Sequence, residues 1–226
     1  MKIPKHWSYT ASFTFKCPRK FKRTYIQGIR QVQGPSAIRG ERIHQLAEWY
    51  LKGEITGGVP GALKKLEGEF KTLRRLDPVV EKFWGVDSDW HFVRGKGWCV
   101  MKMDAAVLPT WKVPVLDMID LKTGREYDSH EEQGELYVAI GFARDSWIEE
   151  AGTEFWYADQ GYVIRREYTR QEIKILVEKW KERGQQIMTT RKFPAVPSVE
   201  QCMWCHVRSD KGGDCDRWKE VLPSSQ

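Results

Sequence analysis

The stretch Val113-Pro114-Val115-Leu116-Asp117-Met118-Ile119-Asp120-Leu121-Lys122-Thr123-Gly124 decides how this chain folds. It is short, rich in branched and apolar residues and closed by a glycine, which predicts a strand over Val113 to Leu121 running into a turn. Side chains two apart on a strand face the same way. Asp120 and Lys122 therefore project together at the strand's end, while Leu121 points into the opposite layer as core and its carbonyl lies between the two polar groups. Upstream, Val79 to Val86, Trp90 to Val93 and Gly97 to Leu108 have the same character and complete a sheet. Downstream, Ser129 to Glu150 returns to helical spacing, with Gln133, Leu136, Tyr137, Ile140 and Gly141 on one side. Glu154 to Ala158 and Tyr162 to Tyr168 predict a hairpin. A last helix opens at Thr169, where Thr169 and Glu172 form a capping box, and runs to about Thr190. Ahead of the sheet, residues 8 to 26 read as a short basic helical segment, the stretch from Ser36 as an amphipathic helix that carries Ile43, Leu46, Ala47, Tyr50 and Leu51 and ends before Gly53, and residues 61 to 76 as a second, more basic helix. The fold class is α/β, a central mixed sheet flanked by helices with a small cysteine-rich end.

Composition bounds what such a chain can be. Its 226 residues, 41% of them apolar, suffice for one domain and leave no room for two full ones. Eleven tryptophans and nine phenylalanines exclude a disordered chain. No run approaches the roughly 18 apolar residues of a membrane span, and no apolar signal core follows the basic start, so the expected location is the cytoplasm, of a host if the source is viral. With 37 Lys+Arg against 31 Asp+Glu the net charge is +6, which favours a polyanionic partner. Five cysteines in a reducing compartment are better explained by thiolate ligation than by disulfides.

A carboxylate beside an ammonium at the mouth of a sheet suits phosphodiester hydrolysis: Asp120 would hold Mg²⁺ or Mn²⁺ and Lys122 would orient the attacking water. Alone, the pair reads more readily as an exposed charged strand end. Asp104 adds weight, because a lone carboxylate in the apolar run Val100 to Val107 is costly to bury without a partner, which a metal would supply. If this strand is antiparallel to the next, the turn at Pro109-Thr110 brings Asp104 beside Asp120. His44, on the edge of the first amphipathic helix, offers a nitrogen. Glu81 is a less certain extra acidic group.

In order, His44 within Gly40-Glu41-Arg42-Ile43-His44, Asp104, Asp120-Leu121-Lys122-Thr123-Gly124 and Gln133-Gly134-Glu135-Leu136-Tyr137 resemble the motifs of the RecB-like branch of the PD-(D/E)XK nucleases. The resemblance covers residues 8 to about 215. It implies a metal-dependent DNA nuclease in which His44, Asp104, Asp120 and the Leu121 carbonyl bind Mg²⁺ or Mn²⁺, and Asp104, Asp120 and Lys122 are catalytic. Gln133 and Tyr137, four apart on one helical face, would contact the DNA phosphate near the cut. Met101 and Ala105 depart from the residues common at those positions, which weakens the subfamily assignment more than the activity.

Cys202-Met203-Trp204-Cys205 is a CxxC pair, with Cys215 beyond it and Cys17 far upstream. One early cysteine and three late ones are similar to the iron-sulfur nucleases, the fourth-family CRISPR-associated exonucleases and the AddB nuclease domain. That implies a structural [4Fe–4S] cluster on Cys17, Cys202, Cys205 and Cys215, tying residues 1–35 and 192–226 together as the cluster end of one nuclease domain whose core is 36–191. The spacing from Cys205 to Cys215 is wider than usual there, so zinc, with His206 replacing a cysteine, is the alternative. Cys99 is read as a core thiol. The basic run Arg19, Lys20, Lys22 and Arg23 is either a phosphate contact or a solvated helix face.

The expected activity is that of an exonuclease on single-stranded DNA or DNA ends, serving recombination and repair, viral genome processing or CRISPR adaptation. No P-loop pattern occurs, so unwinding would need a helicase partner; a recombinase or integrase would serve the other settings. The contrasting expectation is a noncatalytic DNA-binding or scaffold subunit with a zinc-bound cysteine cluster.

Overall fold

The computed structural model describes residues 4–222. The chain divides into two compact units, one of residues 33–181 and one formed by the residues up to Val32 together with those from Glu182 onward. The division falls inside the last long helix, earlier than the 191/192 boundary expected from the prolines after Lys192.

In the first of these units the helix α3 (Pro35–Leu51) leads through a 3₁₀ turn, Gly61–Leu66, into α4 (Glu67–Arg75). The sheet then builds from β1 (Val79–Val86), β2 (Phe92–Arg94), β3 (Cys99–Val107) and β4 (Val115–Lys122), crosses over through α5 (Asp128–Arg144), and closes with β5 (Glu150–Tyr157) and β6 (Tyr162–Thr169). The strand order is β2-β1-β3-β4-β5-β6. Only β4 and β5 run parallel, as the helical crossover between them requires; the other pairs are antiparallel. The sheet is thus mixed and helix-flanked, as the pattern of branched runs predicts.

Side chains of alternate parity feed two layers. Ile43, Ala47 and Tyr50 of α3, with Leu63, Leu66, Phe70 and Leu73, pack on Ala105, Ile119, Leu121 and Trp156. The opposite face receives α5. A Cβ at Gly134 would stand 2.8 Å from Thr153 Oγ1, and one at Gly141 2.6 Å from Leu116 Cδ2. Two missing side chains, seven residues apart on one helical face, let α5 lie against the sheet at backbone distance.

Three expectations are adjusted. The helix expected to reach Glu150 stops at Arg144, because Asp145 leaves helical geometry (φ −123°, ψ 63°) and Glu150 is taken into parallel pairing with Val115. Pairing partners override local propensity there. Trp90 is not in a strand: it sits at φ +72° in a turn, with its indole N–H donating to the Ala139 carbonyl at 3.0 Å. Only the second half of the helix expected over 61–76 is α-helical. The capping box forms, the Glu172 carboxylate accepting from Thr169 N at 2.8 Å.

The other unit holds α1 (Tyr9–Phe15), α2 (Pro18–Phe21), which continues as a π-turn over Lys22–Ile26, and α7 (Val199–Cys202), followed by two 3₁₀ turns, Ser209–Lys211 and Arg217–Glu220. The helix α6 (Arg170–Thr189) contributes residues to both units. Among the described residues no helix is long and apolar enough to cross a membrane.

Candidate active site

The β3–β4 ladder runs Val107↔Asp117, Ala106↔Met118, Ala105↔Ile119, and ends there. One step further along the same register, Asp104 faces Asp120. Instead of another carbonyl closing the ladder, the Asp104 carboxylate does so: Leu121 N–H donates to Asp104 Oδ2 at 2.6 Å. A backbone donor is satisfied by a side chain, and the strands part at that point. Across the other edge, β1 pairs with β3 as Val80↔Ala105 and Lys82↔Met103, so Glu81 also lies opposite Asp104. Glu81 adopts φ +54°, a left-handed conformation that is uncommon for a glutamate and characteristic of functional sites. One row across three strands therefore carries Glu81, Asp104 and Asp120.

His44 reaches this row from α3, with Nδ1 2.8 Å from Asp104 Oδ1. Ligand atoms of His44, Glu81 and Asp104 lie within 4.8 Å of one another. Burial alone would raise the Asp104 carboxyl, but the His44 ring, the Leu121 amide and the Lys122 charge together hold it below its ordinary value. Burial depresses His44, yet Asp104 and Asp120 outweigh it and leave the imidazole raised. Glu81 is raised, first by burial and then by Asp104 against the pull of Lys102, with which it forms an ion pair. Glu81, Asp104 and His44 crowd one small volume, the arrangement that a divalent cation relieves, and Asp120 adds its charge to that of Asp104 from the next strand.

Lys122 and Asp120 sit on the α5 side. Lys122 Nζ lies 2.6 Å from Asp120 Oδ2 and donates to Gln133 Oε1 at 2.8 Å. Gln133 Nε2 donates to Asp120 Oδ1 at 3.0 Å and to the Tyr137 hydroxyl at 2.7 Å. That hydroxyl in turn donates to Asp120 Oδ1 at 2.9 Å, with the Lys102 carbonyl at 3.0 Å as a second acceptor. The Asp120 carboxyl is raised, by burial first, while Lys122 opposes the shift and Asp104 adds to it. Tyr137 is 4% exposed and lies behind Asp120, which places it where it holds the carboxylate. A phosphate contact, which the resemblance implies for Tyr137, would have to reach a hydroxyl that is buried and already engaged. Leu121 is buried core on the α3 side, as its parity requires; Met101 and Ala105 are also core.

Sequence reading left Glu81 uncertain and did not select Lys102, which only the β1–β3 register brings beside it. No local pattern signals a left-handed glutamate.

In the other unit Cys17, Cys202, Cys205 and Cys215 line one pocket with Lys20, Arg208 and Trp218. Cys17 starts α2 and Cys202 ends α7. The wide interval from Cys205 to Cys215 is taken up by the 3₁₀ turn at Ser209–Lys211 and Gly212 at φ +80°, after which Cys215 N–H donates back to the Val207 carbonyl at 2.9 Å. All four are free thiols. Burial, joined by the neighbouring Cys17 and Cys202, raises Cys205. His206 is not among the residues around the thiols; its Nε2 lies 3.0 Å from the Ile29 carbonyl. Cys99 is fully buried in β3. The basic run is largely engaged: Arg19 and Arg23 pair with Asp214, Lys20 reaches Gln201 and Lys22 lies over the Phe193 ring.

A model of the PD-(D/E)XK nuclease superfamily matches residues 6–91, the segment with His44 and Glu81. A search of curated proteins finds no match. Among solved structures, a Eubacterium rectale protein described as a candidate exonuclease is 14% identical, with a TM-score of 0.53 over 98% of this chain and 90% of that one. The protein SSO0001 is 17% identical, with a TM-score of 0.48 over 91% of this chain and 85% of that one. The family match covers about two fifths of the chain, which is thus similar to the PD-(D/E)XK nuclease superfamily over the segment with His44 and Glu81, and the mixed sheet beyond it sets Asp104, Asp120 and Lys122 in register behind His44.

Proposed function

We propose that this chain is a Mg²⁺- or Mn²⁺-dependent deoxyribonuclease, acting as an exonuclease on single-stranded DNA or DNA ends. The observation that carries the reading is the row of Glu81, Asp104 and Asp120 across three strands, with His44 and Lys122 at its two sides. Carboxylates with one imidazole are a donor set that fits a hard divalent cation. His44, Asp104, Asp120 and the Leu121 carbonyl would hold it, and Glu81 stands close enough to His44 and Asp104 to join them. Such a cation supplies an activated water and stabilises charge developing on the phosphate.

The chain's own residues do the rest. Lys122, oriented by Asp120 and Gln133, presents its ammonium to the attacking water and the scissile phosphate. Gln133 sits at the edge of this network and can exchange one of its bonds for a phosphate oxygen. Tyr137 acts through Asp120, keeping that carboxylate aimed.

The four thiols are read as ligands of a structural [4Fe–4S] cluster. The engagement of His206 by the Ile29 carbonyl leaves the four thiols as the ligand set, which favours the cluster over a zinc site that includes His206.

The test is hydrolysis of end-labelled single-stranded and duplex DNA in Mg²⁺, in Mn²⁺ and in EDTA. The reading expects progressive shortening from an end in either metal, faster on single strands, and none in EDTA. Folded protein that hydrolyses neither substrate in either metal would overturn it in favour of a noncatalytic DNA-binding subunit. Iron and sulfide analysis of anaerobically purified protein tests the cluster, and stoichiometric zinc without iron would reject it.

A further inference from the structure

The row of carboxylates continues beyond Asp120. Asp120 is in register with Phe155 on β5, and Phe155 with Ile164 on β6. Neighbouring strands lie about 4.8 Å apart, so these two residues carry the row roughly 10 Å past the catalytic aspartate. There the sheet stops bearing acids and becomes the floor of a pocket, walled by Tyr127, His130 and Tyr157 from the start of α5 and the end of β5.

This pocket adjoins the chemistry. Lys122 Nζ stands 5.5 Å from the Phe155 ring centre, and the His130 ring stacks on that same ring, 5.9 Å away at 26°. His130 Nδ1 and the Tyr157 hydroxyl share a hydrogen bond of 2.7 Å, which fixes the imidazole plane. Burial, reinforced by the charge of Lys122, pushes His130 down to about 4, so at neutral pH the wall is an uncharged ring. Tyr127 stands edge-on to it at 5.6 Å and is 44% exposed, a large aromatic side chain left open to solvent.

Charge decides which part of a nucleotide fits. Glu126, Asp128 and Glu131 line the pocket with Arg166, which is already paired with Glu131, while Arg125 lies over the Tyr127 ring and Lys122 stands by the floor. Acids and cations balance, so no net positive charge recruits a phosphate here. A neutral aromatic ring needs none, and Tyr127 and His130 offer it stacking surfaces.

We infer that this pocket takes one unstacked nucleobase of single-stranded DNA, from the nucleotide next to the phosphate held at Lys122. The inference rests on the nuclease reading and adds to it the physical origin of strand preference: a base in duplex DNA is paired and stacked and cannot enter.

The experiment is binding of a short fluorescent single strand and its duplex to the full chain in Mg²⁺, in a Lys122→Ala background that prevents turnover, with Tyr127→Ala and Tyr127→Phe added. Tyr127→Ala weakens single-strand binding by about tenfold, the order lost with one stacked base, and leaves duplex binding unchanged. Tyr127→Phe retains the affinity. A strand with abasic terminal residues binds the Tyr127 protein as weakly as the intact strand binds Tyr127→Ala. Equal single-strand affinity with and without Tyr127, or equal losses on single strand and duplex, overturns the inference. Cleavage by the native chain separates the two claims: hydrolysis at equal rates with and without terminal bases sinks the base pocket and leaves the nuclease standing, whereas no hydrolysis of any DNA sinks both.

Discussion

In the sheet unit, Asp104, Asp120 and Lys122 stand on strands whose register is fixed by ladders of hydrogen bonds, and each carboxylate is tied to a named donor. In the other unit, four thiols come from a helix start, a helix end, a turn and a loop, and their segments meet through an isolated bridge between Arg208 and Cys215, the pairing of Arg19 and Arg23 with Asp214 and the contact of Lys20 with Gln201. The first site is positioned by backbone that would exist without any ligand. The second gathers segments distant in sequence, and the cluster proposed for the thiols would also constrain the unfolded chain. Damage to the first should appear in rate, damage to the second in stability.

The sharpest break of this contrast is Asp104→Ala. It removes a proposed metal ligand and also the acceptor of the Leu121 amide, so activity on labelled DNA is expected to fall by about 10²–10³-fold or more. Thermal melting should show a loss of only about 1–3 kcal/mol from the unpaired buried donor. Cys205→Ser should do the reverse. Losing one cross-link of this kind costs on the order of 3 kcal/mol, roughly 10 °C in melting temperature for a chain of this size, while the rate per folded molecule at low temperature stays near native. A Cys205→Ser protein that melts normally would mean that the thiols bridge nothing.

Gly134→Ala comes next. Its methyl group would meet Thr153 Oγ1 at 2.8 Å and push α5 from the sheet. The expected cost is about 1–3 kcal/mol, with a drop in rate because Gln133 and Tyr137 move with the helix. A drop in stability alone would show that α5 does not position Asp120.

The smallest effect is in pH. In metal-free protein His44 is raised and Asp104 lowered. The histidine's contribution is complete below its unfolded value and is lost as pH rises through its folded one. The aspartate's is complete above its unfolded value and is lost as pH falls through its folded one. Both are present between about pH 4 and 6.5. The difference in melting temperature between the native chain and His44→Ala, measured in EDTA, should peak in that window. A difference that does not vary with pH would contradict the ion pair.

The sequence shows one of the two regions more fully than the other, for physical reasons. Val79–Val86 stands where the run of branched residues places it, and the two strands bearing Asp104 and Asp120 agree within two residues at each end, because burial on both faces imposes a continuous apolar run. The end of α5 was not legible, since Glu150 is strand only by virtue of its partner Val115. Helical spacing puts Gln133 and Tyr137 on one face but does not say how deep that face lies, and the depth makes Tyr137 a support of Asp120. The left-handed Glu81 and its pairing with Lys102 depend on register across strands, which no local pattern reveals. For the thiols, the resemblance names the four residues that line one pocket, while the fold-back that returns Cys215 to Val207 is a property of the loop.

The central claim is that the row on the sheet, completed by Lys122, cuts DNA. The direct measurement is the single-turnover rate of DNA hydrolysis in Mg²⁺ and in Mn²⁺ for the native chain, Asp120→Asn and Lys122→Met, each with its fold verified by an unchanged circular dichroism spectrum. A metal-dependent rate for the native chain that falls by about 10²-fold or more in both variants is what the geometry predicts. A rate that survives both substitutions would place the chemistry elsewhere.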